Sequence, residues 1–217
     1  VITVVAIFLE ALLGALLVLL RYVEFDQSVG RAVSISMHLL NTLFLVASLV
    51  TLSYLAKDAR AYEPGRRVMF PSNRFFRWSL AVFLVLGISG AIAALGDTLF
   101  KSPSLAYGLA QELSANAHFL IKLRIFHPVL ACTWVFLGFL WSQRLLDVPS
   151  LRQIRSYFLG ALIIQFSLGF INWILLAPTA MQLIHLLVAD TVFIVFWISG
   201  LMWSKIDNET RESRIQA

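Results

Sequence analysis

Charge is what this chain has least of. Only 13% of its 217 residues are charged, against 59% hydrophobic. Soluble domains carry about 25% charged and 45–50% apolar residues. The apolar excess runs along the whole length, which excludes a soluble domain on a single anchor. Cysteine is nearly absent: Cys132 stands alone in an apolar run. One thiol makes no intrachain disulfide and gives no reading of redox compartment. No basic start with a short apolar core and a small-residue cleavage site is present, so no signal peptide is read. A starting methionine is missing as well. Val1 already lies in an apolar run, as expected of a processed or incomplete product. The net charge of +5 is no nucleic-acid signal, because the basic residues fall in short loops between apolar runs.

What is there is six apolar segments, near 2–20, 32–56, 75–95, 119–141, 157–176 and 181–203. Each is close to the ~20 residues that span a bilayer, and a spanning segment must satisfy its own backbone as a helix. The expected fold is therefore all-α, a polytopic transmembrane bundle of about six helices, with the lipid bilayer as its first partner. Basic residues set its orientation. Lys57, Arg60, Arg66, Arg67, Arg74 and Arg77 follow the second segment; Arg144, Arg152 and Arg155 follow the fourth; Lys205, Arg211 and Arg214 follow the sixth. Those are twelve of the seventeen Lys and Arg residues. The positive-inside rule makes these regions, and both chain ends, cytoplasmic. The expected location is a bacterial cytoplasmic membrane.

The second, fourth and sixth segments then start on the outer side, and each carries a histidine near its start: His38, His127 and His185. All three are expected at one level, about 10 Å deep by the 1.5 Å helical rise. The long outer connection, 96–117, holds turn signals at Gly96-Asp97 and Ser102-Pro103-Ser104 and a short surface helix over 106–113. The turn near Ala177-Pro178-Thr179 makes the last two segments a tight hairpin. A weak internal repeat is visible. EALLG at 10–14 followed by HLL at 38–40 is echoed by QFSLG at 165–169 followed by HLL at 185–187.

Two imidazoles at matched depth on neighbouring membrane helices are what a bis-histidine haem needs, since haem iron takes histidine axially. The other reading of His127 and His185 is hydrogen bonding between helices. His38 lacks an obvious second ligand. His118, at the outer mouth of the fourth segment, reads as a surface residue or as a donor behind a ligand. Lys122 and Arg124 either pair with haem propionates or snorkel to the interface. Asp190 and Glu10 are intramembrane carboxylates, functional candidates by default, with interhelical hydrogen bonding as the alternative; Asn41 and Asn172 read as such bonds. Gly14, Gly87, Gly90, Gly160 and Gly169 give close helix approach or room beside a macrocycle. The many Phe and Trp residues read mostly as lipid-facing or interfacial.

Three blocks resemble the haem A synthase family: SGAIAALGDTLF at 89–100, HFLIKLRIFHP at 118–128, and QFSLGFIN at 165–172 with HLL at 185–187. Residues 1–60 resemble the family's third and fourth helices more loosely, with Glu10 where Gln is more usual. The resemblance implies two four-helix halves. One is a C-terminal half, 75–205, holding haem b between His127 and His185. The other is a substrate half, of which 1–60 is a part, with His38 on the side of the substrate haem. Residues 206–217 form a cytoplasmic tail. The family's first two helices have no counterpart in this sequence. The implied activity is oxidation of the haem O methyl group to the formyl of haem A, with haem b carrying electrons and Arg124 and Lys122 near its propionates. The haem sites lie toward the outer side. The electron donor is not named by the resemblance, nor is assembly as a homo-oligomer or in a larger respiratory complex. The rival readings are a non-catalytic haem b electron-transfer or assembly subunit, and a haem-free transporter or scaffold.

Overall fold

In the computed structural model, which describes residues 1–23, 25–57, 71 and 73–216, six helical segments are long and apolar enough to cross a membrane. The protein is an integral membrane protein, and no strand occurs among the described residues. Helix α1 is Ile2–Leu19, α2 Val29–Ala56, α3 Arg74–Leu99, α4 Leu105–Glu112, α5 Phe119–Arg124, α6 Phe126–Leu146, α7 Arg152–Ile174 and α8 Thr179–Gln216. Arg60, Arg66 and Arg67, used above for orientation, lie outside the described residues, as do the side chains of Arg211 and Arg214.

Local chemistry sets the ends. Ser28 accepts from the Arg31 amide at 3.1 Å and starts α2. Asn73 accepts from the amides of Phe75 and Phe76 and starts α3. Ser104 accepts from Tyr107 and starts α4, the surface helix expected in the outer connection. Such caps satisfy amides that the first turn leaves unpaired.

Two departures from the sequence expectation have plain causes. The fourth segment is not continuous: α5 ends at Arg124, Ile125 is a turn, and α6 follows. Pro128 has no N–H for the Arg124 carbonyl, and its ring crowds that carbonyl. The break thus falls just before His127. Helix α8, in turn, does not end near Trp203 but runs to Gln216. No Gly or Pro follows Gly200 to stop it.

Helices α3, α6, α7 and α8 form a ring in which α3 borders α6, α6 borders α7, α7 borders α8, and α8 borders α3. Helices α6 and α8 are therefore diagonal. The α1–α2 hairpin joins the ring through α2, which borders α3 and α8.

The core is aromatic, although most of the described Phe and Trp residues are exposed or only partly buried, in line with the sequence reading. Phe76, Trp141, Phe158 and Phe196 are fully buried, with Phe83, Trp134, Phe193 and Trp197 beside them. Phe76 stacks on Phe196 with centroids 4.3 Å apart, and Phe83 on Phe193 at 5.3 Å. Each buried indole N–H finds a partner on another helix: Trp134 donates to the Ser79 carbonyl at 3.0 Å, Trp141 to Ser199 at 2.8 Å, Trp197 to Thr51 at 2.8 Å. A buried indole needs that partner. Other aromatics, such as Phe8, Phe136, Phe170 and Trp173, do face outward. The aromatic block lies to one side of the level of the histidines. Phe83 precedes Gly90 by two turns, and Trp134 and Phe193 follow His127 and His185 by about two.

Candidate functional site

The ring of four helices brings His127 and His185 face to face across its diagonal. Their ring centroids are 6.4 Å apart and their planes nearly perpendicular, at 88°. Two axial imidazoles on one ion, each bound at about 2.0–2.1 Å with roughly 1.1 Å from nitrogen to ring centre, hold their centroids roughly 6.3 Å apart. The observed separation matches that spacing, while His185 Nε2 is turned to the Gln165 amide.

Each imidazole rests on a glycine of a neighbouring helix. A Cβ on Gly90 of α3 would stand 2.9 Å from His127 Cε1, and one on Gly169 of α7 would stand 2.9 Å from His185 Cε1. Any side chain at these positions would push the ring out of place. Gly87 approaches Leu39 and Gly14 approaches His38 at ordinary distances, whereas Gly160 has nothing within 4 Å and faces outward, contrary to its expected role in close approach.

Hydrogen bonds set the ring tautomers. Ser89 Oγ lies 3.2 Å from His127 Nδ1, and its one proton goes to the Leu86 carbonyl at 2.7 Å. Ser89 therefore accepts from His127 Nδ1–H, which leaves the lone pair on Nε2. This is the arrangement in which a metal-ligating histidine is held by its other nitrogen. Sequence reasoning did not single out Ser89; its signal is a hydroxyl next to a glycine in an apolar helix. Gln165 Nε2 lies 3.2 Å from His185 Nε2, and His185 Nδ1 is buried without a hydrogen bond. Among the described residues no three His, Cys, Asp or Glu side chains gather around one ion position. The facing pair thus supplies two donors, which suits a group that brings its own equatorial donors.

The third histidine sits in the α1–α2 hairpin. His38 Nδ1 faces Glu10 Oε1 at 3.6 Å. Glu10 Oε2 accepts from Asn41 at 2.6 Å, and its Oε1 contacts the Thr42 hydroxyl. Asn41 therefore forms the interhelical bond its sequence suggested, and Glu10 is its partner. Leu39 meets α3 at Gly87, one turn from the Gly90 that carries His127. Leu39 of α2 and His127 of α6 thus meet α3 within about one turn of each other, some 4.5 Å along its axis.

Arg124 is buried between helices. It is 7% exposed and pairs with Asp97 of α3 at 2.7 Å and Glu112 of α4 at 3.4 Å. It shares the α3-facing side with His127, as their spacing implies, but is held by two carboxylates. Its Nη2 is buried without a hydrogen bond, so one donor edge remains for a further acidic group. Burial pushes the Glu112 carboxyl up from its usual range, outweighing the pull of Arg124. Lys122 is exposed and donates to the Ala115 carbonyl at 2.6 Å, fixing the outer connection. His118 caps α5, its Nδ1 accepting weakly from the Leu120 amide at 3.4 Å. Asp190 is half-buried on α8, and no hydrogen bond to Gln165, Asn172 or a hydroxyl is formed among the described residues.

A family model described as cytochrome oxidase assembly protein matches residues 1–197. Two proteins named Protoheme IX farnesyltransferase, from two strains of Thermus thermophilus, are each 36% identical over 194 residues, which cover 86% of this chain and 31% of theirs. The chain thus spans about a third of the length of these relatives. No solved structure matches.

Proposed function

We propose a function from one premise: the chain belongs to the haem A synthase family of cytochrome oxidase assembly proteins. In this reading His127 and His185 are the axial ligands of a haem b that carries electrons for oxidation of the haem O methyl group to the formyl of haem A. The observation that carries it is the pair of imidazoles 6.4 Å apart on diagonal helices. The roles of the surrounding residues follow. Gly90 and Gly169 admit the rings. Ser89 holds His127 in the tautomer that leaves Nε2 free. Arg124, fixed by Asp97 and Glu112, turns its remaining donor edge to a propionate, and Lys122 sits nearer the outer surface for a second. The aromatic block closes the cytoplasmic side of the bundle to water. His38 is the protein ligand on the substrate-haem side. The basic-loop pattern supports a cytoplasmic membrane with the haem sites toward its outer face.

The relatives' name points to prenyl transfer onto protohaem IX by proteins about three times as long as the matched stretch. The matched stretch is about a third of those proteins, so the reaction in their name is not carried to this chain.

The test is a reduced-minus-oxidised spectrum of the purified protein, with the haems extracted and separated. The expected result is haem b together with haem O or haem A. His185→Ala should abolish the bis-histidine signal and His38→Ala should preserve it. Haem b alone, one per chain, would overturn the catalytic reading in favour of an electron-transfer or assembly subunit. An unchanged spectrum in His185→Ala would overturn the ligand assignment.

A further inference from the structure

The three histidines are seated on one plan but with different neighbours. In the two hairpins the plan is matched in part: Glu10 of α1 faces His38 at Nδ1, whereas Gln165 of α7 contacts His185 at Nε2, with Gly14 and Gly169 beside the respective rings. On α3, Ser89 and Gly90 face His127. The partner is a neutral hydroxyl at His127, a neutral amide at His185 and a carboxylate at His38.

We propose that Glu10 is a positioning residue that makes His38 an electron-rich ligand, so that a haem iron bound there is held in its ferric form more strongly than one between His127 and His185. The proposal rests on the reading of His38 as a haem ligand. Three observations support it. First, His38 Nδ1 is buried and has no hydrogen-bond partner nearer than Glu10 Oε1 at 3.6 Å. With its proton on Nδ1, aimed at the carboxylate, the ring presents the Nε2 lone pair. A carboxylate behind a ligating imidazole fixes its tautomer and raises its basicity. Second, Glu10 is held in place from the histidine's own helix. Asn41 donates to Oε2 and to the Ala6 carbonyl, while Thr42 is shared between Oε1 and the His38 carbonyl. Asn41 and Thr42 follow His38 by three and four residues, which puts them on one face of α2. Third, His38 is the only cationic-capable side chain that pairs with Glu10 among the described residues. A carboxylate within a spanning helix calls for a compensating positive charge, and a ferric porphyrin core supplies one where a ferrous core does not.

The experiment uses the full chain in phospholipid nanodiscs, with haemin as the probe, and reads stoichiometry and midpoint potentials by spectroelectrochemical titration. Wild-type protein should take up a His38-dependent haem with a lower midpoint than the His127–His185 haem. Glu10→Gln should keep that haem but lower the ratio of ferric to ferrous affinity about tenfold, an upward shift of about 59 mV for one electron. Glutamine already occupies the matching position 165, so the variant is expected to fold. Gln165 contacts His185 at Nε2 and not at Nδ1, so Gln165→Glu serves as a control that should leave the His38 haem unmoved. If wild-type and His38→Ala protein bind the same number of haems, the reading of His38 as a ligand falls. If binding depends on His38 but Glu10→Gln leaves its midpoint unmoved, that reading stands and the role of Glu10 falls.

Discussion

Alanine at Gly90 should cost the protein its haem while leaving its helices intact. In an isolated helix, Gly→Ala is favourable by roughly 1 kcal/mol. Here the new methyl would stand 2.9 Å from His127 Cε1 and 3.2 Å from Nδ1. Ordinary contact begins near 3.4 Å, so the ring must retreat by about 0.5 Å, which is the tolerance to which a binding constellation is held. Retreat also lengthens the 3.2 Å bond to Ser89 that sets the tautomer. Overpacking of this kind costs about 1–3 kcal/mol. Set against the helix gain, the net loss is about 0–2 kcal/mol, or up to roughly 30-fold in haem affinity. Gly169→Ala should behave alike against His185. Two controls come from α1 and α7. Gly14→Ala meets His38 at an unstrained 3.7 Å, and Gly160→Ala meets nothing within 4 Å. Both should keep wild-type haem. The assay is haem per protein by reduced-minus-oxidised spectroscopy, beside helical content by circular dichroism. Full haem occupancy in both Gly90→Ala and Gly169→Ala, or equal loss in Gly160→Ala, would refute the reasoning.

Removing Asp97 should be costly, because Arg124 is buried and Asp97 is its nearer partner; Asp97→Ala should lower stability in detergent by about 3 kcal/mol, and a change under about 1 kcal/mol would contradict this. Glu112 should show the opposite pH sense from a usual ion pair. Its folded pKa lies above the unfolded one, so its contribution is fully present below about pH 4.5 and is lost as pH rises through the raised value. Hydrogen exchange of α4 should therefore quicken with pH beyond the intrinsic trend, and Glu112→Gln should remove the excess. Pro128→Ala should let the Arg124 carbonyl accept an amide, join α5 to α6 and turn His127; an unaltered haem spectrum in this variant would show that the break does not aim the ring.

The spans, the surface helix α4 and the histidine-bearing helices were legible because hydropathy length and short-range periodicity report them directly. The break at Ile125 was also within reach, since Pro128 forbids the bond to Arg124. The aromatic block was not, because a bilayer and a protein interior reward Phe and Trp alike; hydropathy cannot tell Phe196, buried, from Phe170, exposed. The ion pairs of Arg124 were not legible either. Its partner Asp97 lies 27 residues away and meets it only when α3 and α5 pack. At the site, the pairing of His127 with His185 could be read from depth, and the kinship of Glu10 with Gln165 from the repeat. Which glycines carry a ring could not. Gly90 and Gly160 look alike in sequence and differ only in which way the helix turns them.

Because α6 and α8 lie on a diagonal, the order in which the chain is made limits when a group can be gripped from both sides. His127 enters the membrane with α6, before α7 and α8 exist. His185 arrives only when the α7–α8 hairpin has turned at Leu176 and Ala177, whose backbones adopt φ 62° and 52°. Until then the aromatic block lacks Phe193, Phe196 and Trp197, and the ring of helices is open. Closure of the last hairpin therefore both completes the imidazole pair and adds the last members of the aromatic block beside it. Anything held by both rings is either already waiting on His127 or comes in afterwards.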